Sequence, residues 1–141
     1  MEPRLRAFFM SAGGSMSETR GIRGATTVIS ARPEAVSDAV GELLDEIERV
    51  NELNISEIAA AVFTLTSDLP EAAPAAVARA HGWSEVPLLQ VLEHGGATGI
   101  ERCIRVLVLW NTAKAQSDVR HVYLREAAVL RQDPVPVGEE V

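Results

Sequence analysis

Cys103-Ile104-Arg105-Val106-Leu107-Val108-Leu109-Trp110 is the stretch from which the fold can be read. Every residue but Arg105 is apolar, and Ile104, Val106 and Val108 are β-branched, which predicts a strand with both faces buried. Desolvating a guanidinium costs several kcal/mol even after relaxation, so the run demands an anion beside Arg105, either a protein carboxylate or part of a ligand. Glu93 is the internal candidate, and it is equally placed to take a substrate hydroxyl.

Upstream, His94-Gly95-Gly96-Ala97-Thr98-Gly99 has the composition of a mobile loop, and residues 86–92 read as a strand before it. Residues 74–81 are alanine-rich, start at Pro74 and stop at Gly82, the pattern of a short helix. Residues 59–66 form a short apolar run closed by Ser67-Asp68-Leu69-Pro70, a buried strand followed by a turn. From Pro33, apolar Val36, Val40, Leu43, Leu44, Ile47 and Val50 recur at helical spacing among acids. Residues 21–30 begin the folded region as a strand whose glycines imply close backbone approach. Downstream, Ser117 caps an expected short helix carrying Val119, Val122 and Tyr123, and residues 127–131 an expected last strand. The order β-α-β-α-β-β-α-β has no internal repeat and predicts an α+β fold, a mixed sheet with helices laid on it.

At 141 residues the chain accommodates one domain with a real core. The expected division is a disordered extension over 1–17, a folded domain over 18–133 and a loose acidic tail over 134–141. A net charge of −7 disfavours nucleic acid and anionic membranes, and no apolar run approaches the roughly 20 residues that span a bilayer. The apolar segment after Arg6 is too short for a signal peptide, and Cys103 is the only cysteine, so a reducing cytoplasm is expected. Lys114 is the only lysine, leaving arginine, with its planar fork for carboxylates, as the other fixed cation.

The chain has no GxxxxGK[ST], no GxGxxG, no nucleophile elbow and no Cys/His spacing suited to a metal. His81, His94 and His121 are scattered and read as surface or capping residues. What remains is a set of arginines at strand ends or on the second helix: Arg23, Arg79, Arg105 and Arg131. Together they point to a pocket for an anion. Trp83 and Trp110 read as packing anchors.

Four segments now carry a family resemblance: Arg20-Gly21-Ile22-Arg23-Gly24-Ala25-Thr26-Thr27, Gly82-Trp83 with Val86-Pro87, Arg102-Cys103-Ile104-Arg105-Val106, and Arg120-His121-Val122-Tyr123-Leu124. In this order and spacing they resemble the monofunctional, barrel-like class of chorismate mutase. The resemblance implies a homotrimeric pseudo-α/β-barrel with active sites between subunits, no cofactor, and the rearrangement of chorismate to prephenate. It implies that Arg23 binds a substrate carboxylate, that Arg105 reaches the ether oxygen and a carboxylate, and that Glu93 takes the ring hydroxyl. It also implies that Tyr123 binds a carboxylate, that Leu130 lines the pocket, and that Arg79 and Arg131 close its mouth.

Three positions depart from the family pattern. Gln90 stands where a cysteine or threonine commonly helps orient the glutamate and the hydroxyl, and is expected to substitute through its amide. Ala73 replaces a bulky apolar residue and Ala76 a lysine, which implies a roomier, less positive rim. Two other readings stay open: a non-catalytic trimer that binds a small dicarboxylate, and a chorismate lyase or hydrolase using Glu93 as an acid.

Overall fold

A computed structural model describes residues 16–95 and 99–131. The expected extension before residue 16, the centre of the glycine loop at 96–98 and the tail from 132 lie outside the described residues. Five strands, β1 (Glu18–Thr27), β2 (Ile58–Leu65), β3 (Leu88–Leu92), β4 (Cys103–Thr112) and β5 (Val122–Tyr123), form one mixed sheet in the order β3-β2-β4-β1-β5. Pairings β1–β4 and β2–β4 are antiparallel, while β2–β3 and β1–β5 are parallel. The apolar run at 103–110 is thus the central strand.

Helix α1 (Pro33–Asn51) lays Val36, Val40, Leu43, Leu44 and Ile47 on one face of the sheet, against Ile22, Phe63, Ile104, Val106 and Val108. Each of these large side chains contributes roughly 1.5–3 kcal/mol by leaving water. Close approach of helix and sheet is set at Gly24, where a Cβ would lie 2.8 Å from Ile47 Cδ1 and 3.1 Å from Val106 Cγ1. Helix α2 (Pro74–Ala80) ends at Gly82, whose φ of 108° excludes most other residues. The turn lets Trp83 return to the core, fully buried, its indole N–H donating to Glu48 Oε2 at 2.8 Å.

Two expected elements at the C-terminal end are different. The helix from Ser117 is a single 3₁₀ turn at Gln116–Asp118, after which Val122 and Tyr123 join the sheet as β5. The override is tertiary: buried Asn51 accepts the Arg120 N–H at 2.8 Å and donates to the Arg120 carbonyl at 3.0 Å, which holds the chain extended beside β1. The expected strand over 127–131 is instead a 3₁₀ segment, Arg125–Leu130, entered through Arg125 at φ 54°. A short apolar run does not distinguish helix from strand, and here Ala127 packs on Ala25 and Cys103.

The prediction that both faces of β4 are buried holds for one face only within the chain. Its burial alternates: Ile104, Val106, Val108 and Trp110 face α1, while Leu107 on the other face is 42% exposed. The sheet pairings put Leu89 and Val91 on that same open face, and they are 64% and 45% exposed.

Candidate active site

The sheet register assembles the site on the open face. One row runs Thr64 on β2, Arg105 on β4, Ala25 on β1 and Tyr123 on β5; the next runs Val62, Leu107 and Arg23. Directly opposed residues share a face, so side chains far apart in sequence converge. The 3₁₀ segment covers the end of this face with Ala127 and Leu130, above Ala25 and Cys103. Between that cover and the exposed apolar rows lies a cleft of ≈ 560 Å³, bordered by Arg23, Thr64, Arg105, Leu107, Tyr123 and Leu130.

Arg105 does have a resident carboxylate. Its Nε donates to Glu93 Oε1 at 2.9 Å, and Thr64 Oγ1 donates to the same oxygen at 2.7 Å. Glu93 follows β3 and is placed by its own N–H on the Leu65 carbonyl, 2.8 Å away. The remaining oxygen, Glu93 Oε2, is buried and has no donor. The Nη groups of Arg105, the side chain of Arg23 and the Tyr123 hydroxyl also have no partner among the described residues. The cleft therefore offers two guanidiniums and a phenol, with one unfilled carboxylate oxygen buried behind its Thr64 and Arg105 wall, a set that matches a small dianion bearing a hydroxyl.

Other sequence-predicted residues fall elsewhere. Arg79 is exposed in the last turn of α2 and Arg131 ends the 3₁₀ segment next to Leu130; neither borders the cleft in this chain. Gln90 does not orient Glu93: its Oε1 accepts the Ala75 N–H at 3.1 Å, and its amide nitrogen donates to the Ala72 carbonyl at 3.4 Å. Ala73 and Ala76 lie exposed at the start of α2. Cys103 is a buried hydrophobe whose thiol is pushed up to about 11, chiefly by burial, and is protonated at neutral pH. Among the described residues no cluster of His, Cys, Asp or Glu is arranged to hold a metal, and no helix is long and apolar enough to cross a membrane.

Sequence reasoning missed Thr64 and the structural part of His121. A threonine in the apolar run 58–65 was the available signal for the first. His121 accepts the Arg23 backbone N–H on Nδ1 at 2.9 Å, fixing the edge of the cleft, while His81 bonds Asp45 at 2.7 Å from the end of α2. Burial, and then the charge of Arg23, lowers the His121 pKa from 6.5. As pH falls, the unfolded chain takes the proton first, so stability is full above about pH 6.5 and is lost as pH drops through the lower folded-state value. His121→Asn, which keeps an acceptor but does not titrate, is expected to flatten this part of the acid-side slope in urea unfolding midpoints measured against pH.

Fold and site define a small α+β domain with an arginine-lined anion cleft on an open sheet face. The sequence model for chorismate mutase type I matches residues 19–134. The chorismate mutase AroH of Thermus thermophilus is 50% identical over 115 residues, covering 81% of this chain and 94% of the relative. That of Bacillus subtilis (strain 168) is 36% identical over 115 residues, covering 81% of this chain and 91% of the relative. A solved chorismate mutase from Clostridium thermocellum superposes with a TM-score of 0.74 at 38% identity, covering 77% of this chain and 97% of that one. The chain belongs to the type I chorismate mutase family.

Proposed function

We propose that this chain is a chorismate mutase, an isomerase that converts chorismate to prephenate by an intramolecular Claisen rearrangement on the way to phenylalanine and tyrosine. The observation that carries the reading is the convergence in one cleft, in a chain of this family, of the Arg23 side chain and the Nη groups of Arg105, without partners among the described residues, beside the buried, donorless Glu93 Oε2.

Arg23, Tyr123 and one Nη of Arg105 bind the two carboxylates, and Glu93 Oε2 accepts the ring hydroxyl. Held at these points, the flexible dianion is confined to its compact reactive shape, which supplies the orientation term. One C–O bond breaks and one C–C bond forms within the same molecule, so nothing is added or lost and no cofactor enters. C–O cleavage runs ahead of C–C formation, and negative charge gathers on the ether oxygen. A fixed Arg105 guanidinium stabilises that charge more than it stabilises the ground state. Gln90 serves indirectly, by tying β3 to the start of α2.

The working form is a homotrimer with clefts between subunits. Exposed Leu89, Val91 and Leu107 on the open face call for an apolar cover, which two further copies of the chain supply. Arg79, without a partner among the described residues and away from the cleft of its own chain, then comes from a neighbouring subunit, and Arg131 closes the mouth beside Leu130. Residues 18–133 form the catalytic domain, and the enzyme works in the cytoplasm.

Incubation of purified protein with chorismate, with the product identified by NMR, tests the reading. Prephenate is the expected product. Pyruvate or a hydroxybenzoate would mark a lyase or hydrolase, and unchanged chorismate a binding protein.

A further inference from the structure

Glu93 has to present its free oxygen at a fixed angle if it is to hold a substrate hydroxyl, and position 90, where the family places the orienting group, is committed elsewhere. Both polar ends of the Gln90 side chain are engaged at the start of α2, through the Ala75 N–H and the Ala72 carbonyl. It does not border the cleft. The two donors that do reach Glu93 come from β2 and β4: Thr64 Oγ1 at 2.7 Å and Arg105 Nε at 2.9 Å, both on Oε1.

Thr64 and Arg105 are direct cross-strand partners. Their donors converge on one carboxylate oxygen, fixing the plane of the carboxylate and leaving Oε2 as the acceptor still to be filled. Arg105 alone does not suffice. Its Nε bond leaves the carboxylate free to turn about that single contact, and Arg105 itself responds to charge changing on the ligand. Thr64 is neutral, and its β-branched side chain is stiff at χ1, so it anchors Glu93 independently of the ligand.

We propose that Thr64 is the positioning residue for Glu93 in this enzyme, the orienting role having passed from the edge strand β3 to β2. The inference rests on the chorismate mutase reading above. Thr64 acts through Glu93: its hydroxyl aims Oε2 at the ring hydroxyl, and its loss is felt only while Glu93 is present. A displaced carboxylate also loosens the hold on Arg105, whose Nη groups meet the ether oxygen, so the effect reaches the reacting bond.

The test is a double-mutant cycle on the full chain, with steady-state kinetics on chorismate and circular dichroism to verify folding. Thr64→Val keeps the shape and removes the hydroxyl; it is expected to lower kcat/KM about 10- to 100-fold, the range for losing a hydrogen bond to a charged group. Thr64→Ser, which restores the donor, is expected to stay within about threefold of wild type, and in a Glu93→Ala background the valine change is expected to cost less than about twofold. If the valine chain does not fold, Thr64→Ala is read in its place. Wild-type-like turnover in the valine variant overturns the proposal while leaving the chorismate mutase reading intact. So does a serine variant as impaired as the valine one, or an undiminished valine effect without Glu93. A wild-type chain that makes no prephenate overturns both.

Discussion

Arg105→Ala is expected to lower kcat by about a thousandfold or more and to leave the fold in place. The structural loss is small because the Arg105 side chain is 41% exposed and its ion pair with Glu93 lies on the open face. The core that stabilises the domain is on the other side of the sheet, between α1 and the inward residues of β4. The catalytic loss is large because removing a single neutral donor from a site of developing negative charge already costs about 10²- to 10³-fold, and Arg105 contributes a full charge. Kinetics on chorismate, paired with circular dichroism and size-exclusion chromatography, separates the two effects. Turnover within about tenfold of wild type would make Arg105 a structural ion, its charge answered by Glu93 and nothing else.

Glu93→Gln is expected to lower kcat/KM about a hundredfold. The side chain is almost fully buried, so its environment dictates what the amide does. Thr64 and Arg105 both donate to one oxygen, and the glutamine carbonyl takes that place. The amide nitrogen then stands where Oε2 was, as a donor, and a ring hydroxyl loses its acceptor. Shape and volume are kept, so thermal unfolding should change little while the specificity constant collapses. A variant that turns over chorismate at the wild-type rate would show that the hydroxyl is held elsewhere.

Much of this architecture was legible in the residues. β1 to β4 and both helices lie within a few residues of the positions that periodicity, proline and glycine assign them. The Arg105 charge was answered by Glu93, the internal carboxylate nearest in sequence to an earlier strand end. The C-terminal elements were not legible, because their conformation depends on a partner about 70 residues away: Asn51, an unremarkable polar residue at the end of α1, clamps Arg120 and so converts an expected helix into β5. Thr64 escaped for a related reason, since only the β2–β4 register brings it opposite Arg105. Gln90 misled because a side chain capable of the expected hydrogen bond found nearer partners at Ala72 and Ala75. The burial of β4 was overestimated within the chain, since an apolar pattern does not say whether its cover is the same chain or another copy.

In the mechanism proposed above, Arg23, Arg105 and Glu93 accelerate a rearrangement by restraint and charge, with no proton moved in the transition state. The rate of prephenate formation at saturating chorismate, compared in light and heavy water at matched pH in the plateau region, tests it most directly. The same kcat is expected in both solvents. Prephenate formed markedly more slowly in heavy water would contradict it, because a proton in flight would then be part of the step that Arg105 is held to govern.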